Sequence, residues 1–221
     1  SDTAPNVDTG SHCTNPYRCP FYSHCHQQVT DRPVAELPGA RREFLDELKQ
    51  SGIDDIRLIP SDHPKLNVLQ QRVRDCVVND RVFVGPGLLT KLGEVNFPVS
   101  FLDFETFNPA LLAYVGTRPY QAIPFQWSLH IKHRSGDLRN ESFLWTKNND
   151  PRSTLVERLL DAIPSEGTIV AYSNYEQTVM KQLAIEFPAF EDALLGLCDR
   201  TFDLLKLVRE EYYHPQFHGS F

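Results

Sequence analysis

The sequence predicts an α/β fold: a mixed five-stranded sheet with flanking helices, preceded by a small cysteine-rich and helical region. The first observation is a change of hydrophobic period, from helical to strand-like, after Phe97-Pro98. The second is that three strand-like segments are then followed by alternating helical and strand-like ones. The third is a segment at the start of the chain, rich in Cys, His and Pro, that follows neither period. With 221 residues the chain is long enough to bury a core.

The region between the cysteines and the first long strand is predicted to be a helical linker, residues 31–95. One helix places Phe44, Leu45 and Leu48 on a single apolar stripe and ends at Ser51-Gly52. The second helix is predicted over residues 67–79, and its inward side chains are Leu69, Val73, Cys76 and Val77. A third, short helix is predicted around residues 88–92.

Residues 96–221 are predicted to form the sheet domain. Three strands, in the order VSFLDFETF, IPFQWSLHIKH and LRNESFLWT, form an antiparallel meander. A helix follows, with Asp150 as its N-cap and Pro151 in its first turn. Next come a buried strand in GTIVAYS, a helix in NYEQTVMKQLAIEF and a strand-to-helix junction in TFDLLKLV. The order βββαβαβα is that of an RNase H-like domain. The ending HPQFHGSF shows no helix stop, so we expect this domain to be truncated at its C-terminus.

Composition narrows the possible functions. Lys and Arg number 22 against 29 Asp and Glu, a net charge of −7, which argues against binding nucleic acid through bulk electrostatics. A metal-dependent nuclease is not excluded, because its site must be acidic before the metal binds. No apolar run approaches the roughly 20 residues of a membrane helix, and the first residues lack the layout of a signal peptide. We therefore expect a cytoplasmic protein with no membrane partner.

Two acids stand out in the first strand. Side chains alternate along a strand, so Asp103 and Glu105 project from one face, about 6.5 Å apart. They lie within an apolar run, where an unpaired carboxylate costs several kcal/mol, so a metal cation is expected beside them. The alternatives are a strand with one solvated face, or pairing with an arginine such as Arg118.

The run Asp103-Phe104-Glu105-Thr106 resembles the first motif of the DEDD 3′ to 5′ exonucleases, a D-x-E-T on the opening strand. In that family a second acid opens the helix after the fourth strand. The matching residue here is Glu176, where the family more often has Asp. The resemblance implies that these three acids bind Mg²⁺ or Mn²⁺ and hydrolyse phosphodiester bonds by a two-metal mechanism.

Further residues join the candidate site. Asp203 falls where the polymerase-proofreading exonucleases carry an Asp-Thr-Leu near the site, so it is a fourth catalytic candidate. Glu176 has an alternative role, because Ser173-Asn174-Tyr175-Glu176 also fits a capping box. Candidates for substrate binding are Thr106, Asn174, Arg118 and Tyr120, with Tyr212, Tyr213, His214 and His218 as further possible contacts.

The first segment, residues 1–30, carries Cys13, Cys19 and Cys25 at equal spacing. Three thiolates leave one tetrahedral corner, which His12, His24, His26 or an upstream cysteine could close around zinc. The triplet also resembles the C-terminal cysteines of RecB-like nucleases and their CRISPR-associated relatives, which implies a 4Fe-4S cluster and an upstream RecB-like region in the same parent protein. The alternatives are reduced cysteines without metal, or a redox or metal sensor.

The linker contains a second possible nucleic-acid contact. Leu37-Pro38-Gly39 and the following residues resemble a helix-hairpin-helix element, whose turn offers backbone amides to DNA phosphates. Arg41 and Arg42 would suit such contacts. A plain helix with a solvated basic face explains the same residues.

The chain as a whole, from His12-Cys13 to His214-Pro215, resembles the bacterial domain of unknown function 2779 family. The shared features are the cysteine motif, the helical linker, the DFET strand and the segments GTRPYQ, IPFQ and SLH. This resemblance brings no established substrate. The function we expect is a nuclease module acting on DNA or RNA, and the alternative is a catalytically incomplete RNase H-like module that binds nucleic acid or is structural.

Overall fold

A computed structural model describes Cys13, residues 17–25 and residues 30–218, apart from the side chain of Ser23. The chain divides into two compact units. The first comprises the described residues up to Val82 together with residues 214–218, and the second comprises Phe83–Tyr213. No helix in the described part of the chain is long and apolar enough to cross a membrane.

The first unit contains helices α1 (Tyr22–Cys25), α2 (Arg42–Gln50) and α3 (Val68–Asn79). The two longer helices confirm the predicted ones. Helix α3 begins with a capping box, in which Asn67 Oδ1 accepts from the Gln70 amide at 2.9 Å and Gln70 Oε1 accepts from the Asn67 amide at 3.1 Å. Three of its four predicted inward side chains are buried, and Leu69 is half-buried.

Asp55 organises the loop between α2 and α3. Its carboxylate caps the short 3₁₀ turn Ile56–Leu58 by accepting from the Arg57 amide at 2.7 Å, and it also accepts from Arg57 Nε at 2.9 Å and from the Thr30 hydroxyl. The side-chain hydrogen bonds from Arg57 lower the pKa of Asp55 to about 2, although burial acts in the opposite direction.

Because the pKa of Asp55 is lower in the folded chain than in the unfolded one, its stabilising effect is complete above about pH 4 and disappears as the pH falls through about 2. We expect Asp55→Asn to lower the free energy of unfolding at pH 7 by about 1.5–3 kcal/mol, the size of a hydrogen bond to a charged group. Urea denaturation of both proteins at several pH values measures this. Equal midpoints at pH 7 would contradict the assignment.

The second unit contains one large sheet and several helices. Its elements in chain order are β1 (Phe83–Val84), α4 (Leu88–Gly93), β2 (Val99–Phe107), β3 (Ile123–Lys132), β4 (Leu138–Leu144), α5 (Arg152–Ala162), β5 (Thr168–Ala171), α6 (Tyr175–Glu186), α7 (Glu191–Asp199), β6 (Thr201–Asp203), α8 (Leu204–Glu211) and β7 (Tyr212–Tyr213). The strand order in the large sheet is β4-β3-β2-β5-β6. Strands β2, β3 and β4 form the predicted antiparallel meander, and β5 and β6 run parallel to β2. This confirms the mixed five-stranded sheet with flanking helices.

Three features of the second unit differ from the sequence prediction. Helix α5 begins at Arg152 with Pro151 at its N-cap, while Asp150 Oδ1 accepts from the Arg152 amide at 3.0 Å. Helix α7 precedes β6, and the two-residue strands β1 and β7 pair with each other. The β1–β7 pairing joins segments far apart in sequence, so no local sequence pattern predicts it.

The core lies on one face of the sheet, where helices α5, α6 and α7 pack. Strand β2 shows why the two faces differ, because Leu102 and Phe104 are buried while Phe101, Asp103 and Glu105 are exposed. The period of two along a strand separates these two sets of side chains. The acids therefore lie on the face opposite the packed helices.

Gly167 leads into β5 and adopts a φ of +83°. A Cβ at this position would overlap the backbone of Pro98, just before β2. The next residue, Thr168, donates its amide to Asn96 O at 2.9 Å and accepts from the Asn96 amide at 2.8 Å. Gly167 therefore allows the approach that starts the pairing of β5 with β2.

We expect Gly167→Ala to destabilise the second unit more than Gly136→Ala, a matched control. Both glycines have a positive φ, which costs an alanine about 1 kcal/mol, but a Cβ at Gly136 meets no atom within 4 Å. The overlap at Gly167 adds roughly 1–3 kcal/mol. Thermal unfolding followed by circular dichroism compares the two variants, and similar melting temperatures would refute the close approach.

Candidate functional site

Three strands end together at one edge of the large sheet. Because β2, β5 and β6 are parallel, their carboxyl ends lie side by side. Strand β2 carries Asp103 and Glu105, β5 leads into the first turn of α6 with Glu176, and β6 ends at Asp203. Ligands of open α/β sheets bind at this kind of edge.

Glu176 is the most confined of these acids, with only 4% of its surface exposed. Burial raises the pKa of Glu176 above its ordinary value, and the negative charges of Asp103 and Asp203 raise it further, while backbone hydrogen bonds oppose the shift. Its Oε2 atom is buried and has no hydrogen-bond partner in the described part of the chain. We call Asp103, Glu176 and Asp203 the carboxylate cluster.

The prediction that Asp103 and Glu105 share a face is confirmed by their exposure, which alternates with the burial of Leu102 and Phe104. The expectation that this face is buried is wrong, because the helices pack on the opposite side of the sheet. The cost of burying a carboxylate therefore applies to Glu176 and not to the strand acids. Arg118 forms no ion pair among the described residues, so the suggested pairing with it is not seen.

The start of α6 differs from the predicted capping box. The helix begins at Tyr175 with Asn174 as its N-cap, and Ser173 Oγ accepts from the Tyr175 amide at 3.2 Å rather than from Glu176. One half of the box is present, because the Glu176 carboxylate accepts from the Ser173 amide. Glu176 thus contributes to the cap and still presents a second oxygen.

Asp203 opens α8, as its sequence position predicted. Its Oδ1 atom accepts from the Lys206 amide at 2.8 Å, which makes it the N-cap of that helix. Asp203, Lys206 and Asn174 also line a cavity of about 540 Å³ next to the cluster. The structure therefore brings Asn174, a predicted substrate contact, to the same edge of the sheet.

A family comparison covers this whole edge. Residues 100–221 match the family described as Domain of unknown function (DUF2779). The chain belongs to this family. All four acids lie within the match, whereas the cysteine segment and most of the helical region precede it. No curated protein and no solved structure matches the chain.

Two of the predicted substrate-binding residues of this DUF2779 chain lie on the loop after β2. Arg118 and Tyr120 are both exposed, and among the described residues neither forms a hydrogen bond or ion pair with the acids. The loop is held elsewhere, since Gln121 is buried and donates to Glu186 on α6. Any role of Arg118 and Tyr120 toward a substrate remains a prediction.

Tyr175 was not among the residues predicted for the site. Its hydroxyl lies 2.6 Å from the Thr106 hydroxyl, which connects the first turn of α6 with the end of β2. The signal was present in the sequence, because Tyr175 precedes Glu176 and Thr106 follows Glu105. Only the fold shows that the two hydroxyl groups meet.

The late tyrosines and histidines have structural partners. Tyr213 is buried and pairs with Phe83 in the β1–β7 ribbon. In the first unit, His214 Nδ1 accepts from the Gln216 amide at 3.1 Å, and His218 Nδ1 lies 3.1 Å from Glu36 Oε1. These contacts favour packing over substrate binding.

The cysteines give no closed metal site in the described residues. Cys13 is buried, Cys19 is half-buried and Cys25 is exposed, and none of the three forms a disulfide with another described cysteine. The Cys19 amide donates to Cys13 O at 2.8 Å, which brings these two residues together. Two candidate ligands, His12 and His26, lie outside the described residues, and His24 is exposed on α1. Zinc and the 4Fe-4S cluster both stay predictions.

The donor chemistry of the carboxylate cluster suits a hard divalent cation, because every available atom is a carboxylate oxygen. The buried, unpartnered Oε2 of Glu176 is such a donor. In the described part of the chain, however, no group of three or more Asp, Glu, His or Cys side chains is arranged to hold a metal ion. The acids influence one another through charge without forming a closed set of ligands.

Glu176 should make the stability of the protein depend on pH when divalent cations are absent. Because the pKa of Glu176 is raised on folding, the folded chain binds its proton more tightly than the unfolded chain does, and stability falls as the pH rises above the ordinary Glu range of about 4.3. We expect Glu176→Gln to have a higher melting temperature than wild type at pH 8 in EDTA and to lose part of this pH dependence. A lower melting temperature than wild type would refute the charge conflict.

Proposed function

We propose that this chain is a metal-dependent nuclease module with an RNase H-like fold, which hydrolyses phosphodiester bonds of DNA or RNA as a 3′ to 5′ exonuclease. The observation that carries the proposal is the buried, unpartnered oxygen of Glu176 beside Asp103 and Asp203. A buried carboxylate with two acidic neighbours calls for a cation.

The topology supports the proposed fold. An antiparallel meander of three strands, extended on the side of β2 by two parallel strands, agrees with the order expected of RNase H-like domains. The resemblance to DEDD exonucleases assigns acids to the opening strand and to the helix after the fourth strand of the domain. In this chain those positions are Asp103, Glu105 and Glu176, at one edge of the sheet.

The exposed face of β2 is suitable for a polymeric substrate. Asp103 and Glu105 are open to solvent, so a phosphate group can approach them without displacing packed helices. Two exposed aromatic rings lie on or directly after these strands, since Phe101 on β2 is 44% exposed and Tyr172, which directly follows β5, is 57% exposed. Stacking of a base on such an aromatic ring contributes about 1–3 kcal/mol.

The four acids would have two different roles in the reaction. Asp103, Glu105 and Glu176 would bind Mg²⁺ or Mn²⁺. Asp203, which caps α8, would add a negative charge on the other side of Glu176. When bound, a pair of such ions lowers the pKa of the attacking water and stabilises the leaving 3′ oxygen. Asn174, Thr106, Arg118 and Tyr120 are the proposed substrate contacts.

Calorimetric titration with Mn²⁺ tests the proposal. We expect wild type to bind Mn²⁺ and Asp103→Asn to bind it at least about tenfold more weakly, because a ligand loses its charge. Asp137→Asn is the matched control, since Asp137 lies in the exposed turn between β3 and β4 and its carboxylate accepts from Ser135. Equal affinities for all three proteins would refute the site.

Nuclease assays on labelled single- and double-stranded DNA and RNA then identify the substrate. Release of mononucleotides from the 3′ end by wild type, and its loss in Asp103→Asn, would support an exonuclease. Internal cleavage would support the nuclease and refute the exonuclease assignment.

The second candidate is an RNase H-like module that binds nucleic acid or is structural and has lost full catalysis. It is favoured by the lack of a closed metal-ligand group among residues 13, 17–25 and 30–218. Fluorescence anisotropy with labelled oligonucleotides distinguishes it, because binding without turnover in Mn²⁺ would support this candidate.

The cysteine segment adds a proposal of its own. The Cys19 amide donates to Cys13 O at 2.8 Å, so the backbones of two of the three cysteines are neighbours. We propose that the segment binds zinc or a 4Fe-4S cluster and adjoins an upstream RecB-like region of the parent protein. Elemental analysis of the purified protein distinguishes zinc from iron.

A further inference from the structure

A pair of hydroxyl groups joins the two elements that carry the acids. Thr106 Oγ1 and Tyr175 Oη lie 2.6 Å apart, a short hydrogen bond. Thr106 directly follows Glu105 at the end of β2, and Tyr175 directly precedes Glu176 in the first turn of α6. The bond therefore spans the interval between a strand acid and a helix acid.

The end of β2 lacks regular sheet pairing at this point. The register between β2 and β3 shifts between Glu105, which faces Gln126, and Thr106, which faces Pro124, so that Phe125 is the extra residue of a β-bulge. Pro124 has no N–H to donate to the ladder. On the other side, β5 pairs with β2 only as far as Phe101. The backbone around Glu105 and Thr106 is thus held less firmly by the sheet than the rest of the strand.

The start of α6 has a similar weakness. Its N-cap residue, Asn174, makes no capping hydrogen bond with its side chain. The Tyr175 amide donates to Ser173 Oγ, which is a local contact, whereas the Tyr175 hydroxyl reaches across to another element. The tyrosine is therefore placed to fix the first turn of α6 against β2.

We propose that Tyr175 and Thr106 are positioning residues, whose hydrogen bond sets the spacing between Glu105 and Glu176 and thereby the affinity of the site for a divalent cation. This inference rests on the proposed function. It also gives Thr106 a role within the protein, in addition to the substrate contact proposed above. Bulges are frequent next to functional sites, and here the hydroxyl pair holds the end of β2 in place opposite the bulge in β3.

The experiment measures Mn²⁺ affinity by calorimetry for wild type, Tyr175→Phe, Thr106→Val and the double variant. Each single variant keeps the shape of its side chain and removes one partner of the bond. We expect each to bind Mn²⁺ about tenfold more weakly, the effect typical of residues that orient metal ligands. The double variant should lose no more than either single variant, because both substitutions remove the same interaction.

Two further variants complete the design. Thr106→Ser retains a hydroxyl and should keep wild-type affinity, which also shows that a substitution at this position folds. Thr178→Val is the matched control, because Thr178 lies on the same helix and its hydroxyl donates to Asn174 O within that helix at 3.0 Å. It should bind Mn²⁺ like wild type.

The outcomes separate this inference from the proposed function. If wild type does not bind Mn²⁺, the proposed metal site fails and the inference fails with it. If wild type binds Mn²⁺ and both Tyr175→Phe and Thr106→Val bind it equally well, the inference is overturned while the proposed function stands. Additive losses in the double variant would also overturn it, since the two residues would then act independently.

Discussion

The burial of the Glu176 carboxyl group next to two other carboxylates is the constraint on which the candidate site depends. Glu176 is buried beside Asp103 and Asp203, and one of its oxygens has no partner among the described residues. Such an arrangement costs free energy in the absence of a cation. Charge conflict of this kind is common where a site binds metal ions, because the same acids that repel one another become ligands when a divalent cation neutralises them.

The fold places these carboxylates close together because the carboxyl ends of β2, β5 and β6 lie at the same edge of the sheet. Parallel pairing of β5 with β2 starts where Gly167 allows close approach to Pro98, and Asn96 and Thr168 fix the register there. From that start the carboxyl ends of the strands lie side by side, and each strand either contains an acid or leads into a helix that carries one. The helices pack on the other face, so the acids of β2 stay open to solvent.

The antiparallel meander and the shared face of Asp103 and Glu105 were predictable, because both follow from short-range patterns. The predicted burial of the Asp103–Glu105 face was wrong, because aromatic neighbours in a strand do not indicate which face of the sheet the helices cover. The capping box predicted at Ser173 also differs from the structure. The helix begins one residue later, and the Ser173 hydroxyl accepts from Tyr175 instead.

Short-range sequence patterns predicted which side chains of β2 face the same way, where helices α2, α3, α5 and α6 lie, and which residue opens α8. These depend on interactions between residues a few positions apart, and the local backbone geometry fixes them. The three-dimensional packing was needed to show that Glu176 is buried beside Asp103 and Asp203, and that Tyr175 meets Thr106 across 69 residues of chain. Contacts of that range depend on strand order and helix packing, which place residues together without leaving a periodic trace in the sequence.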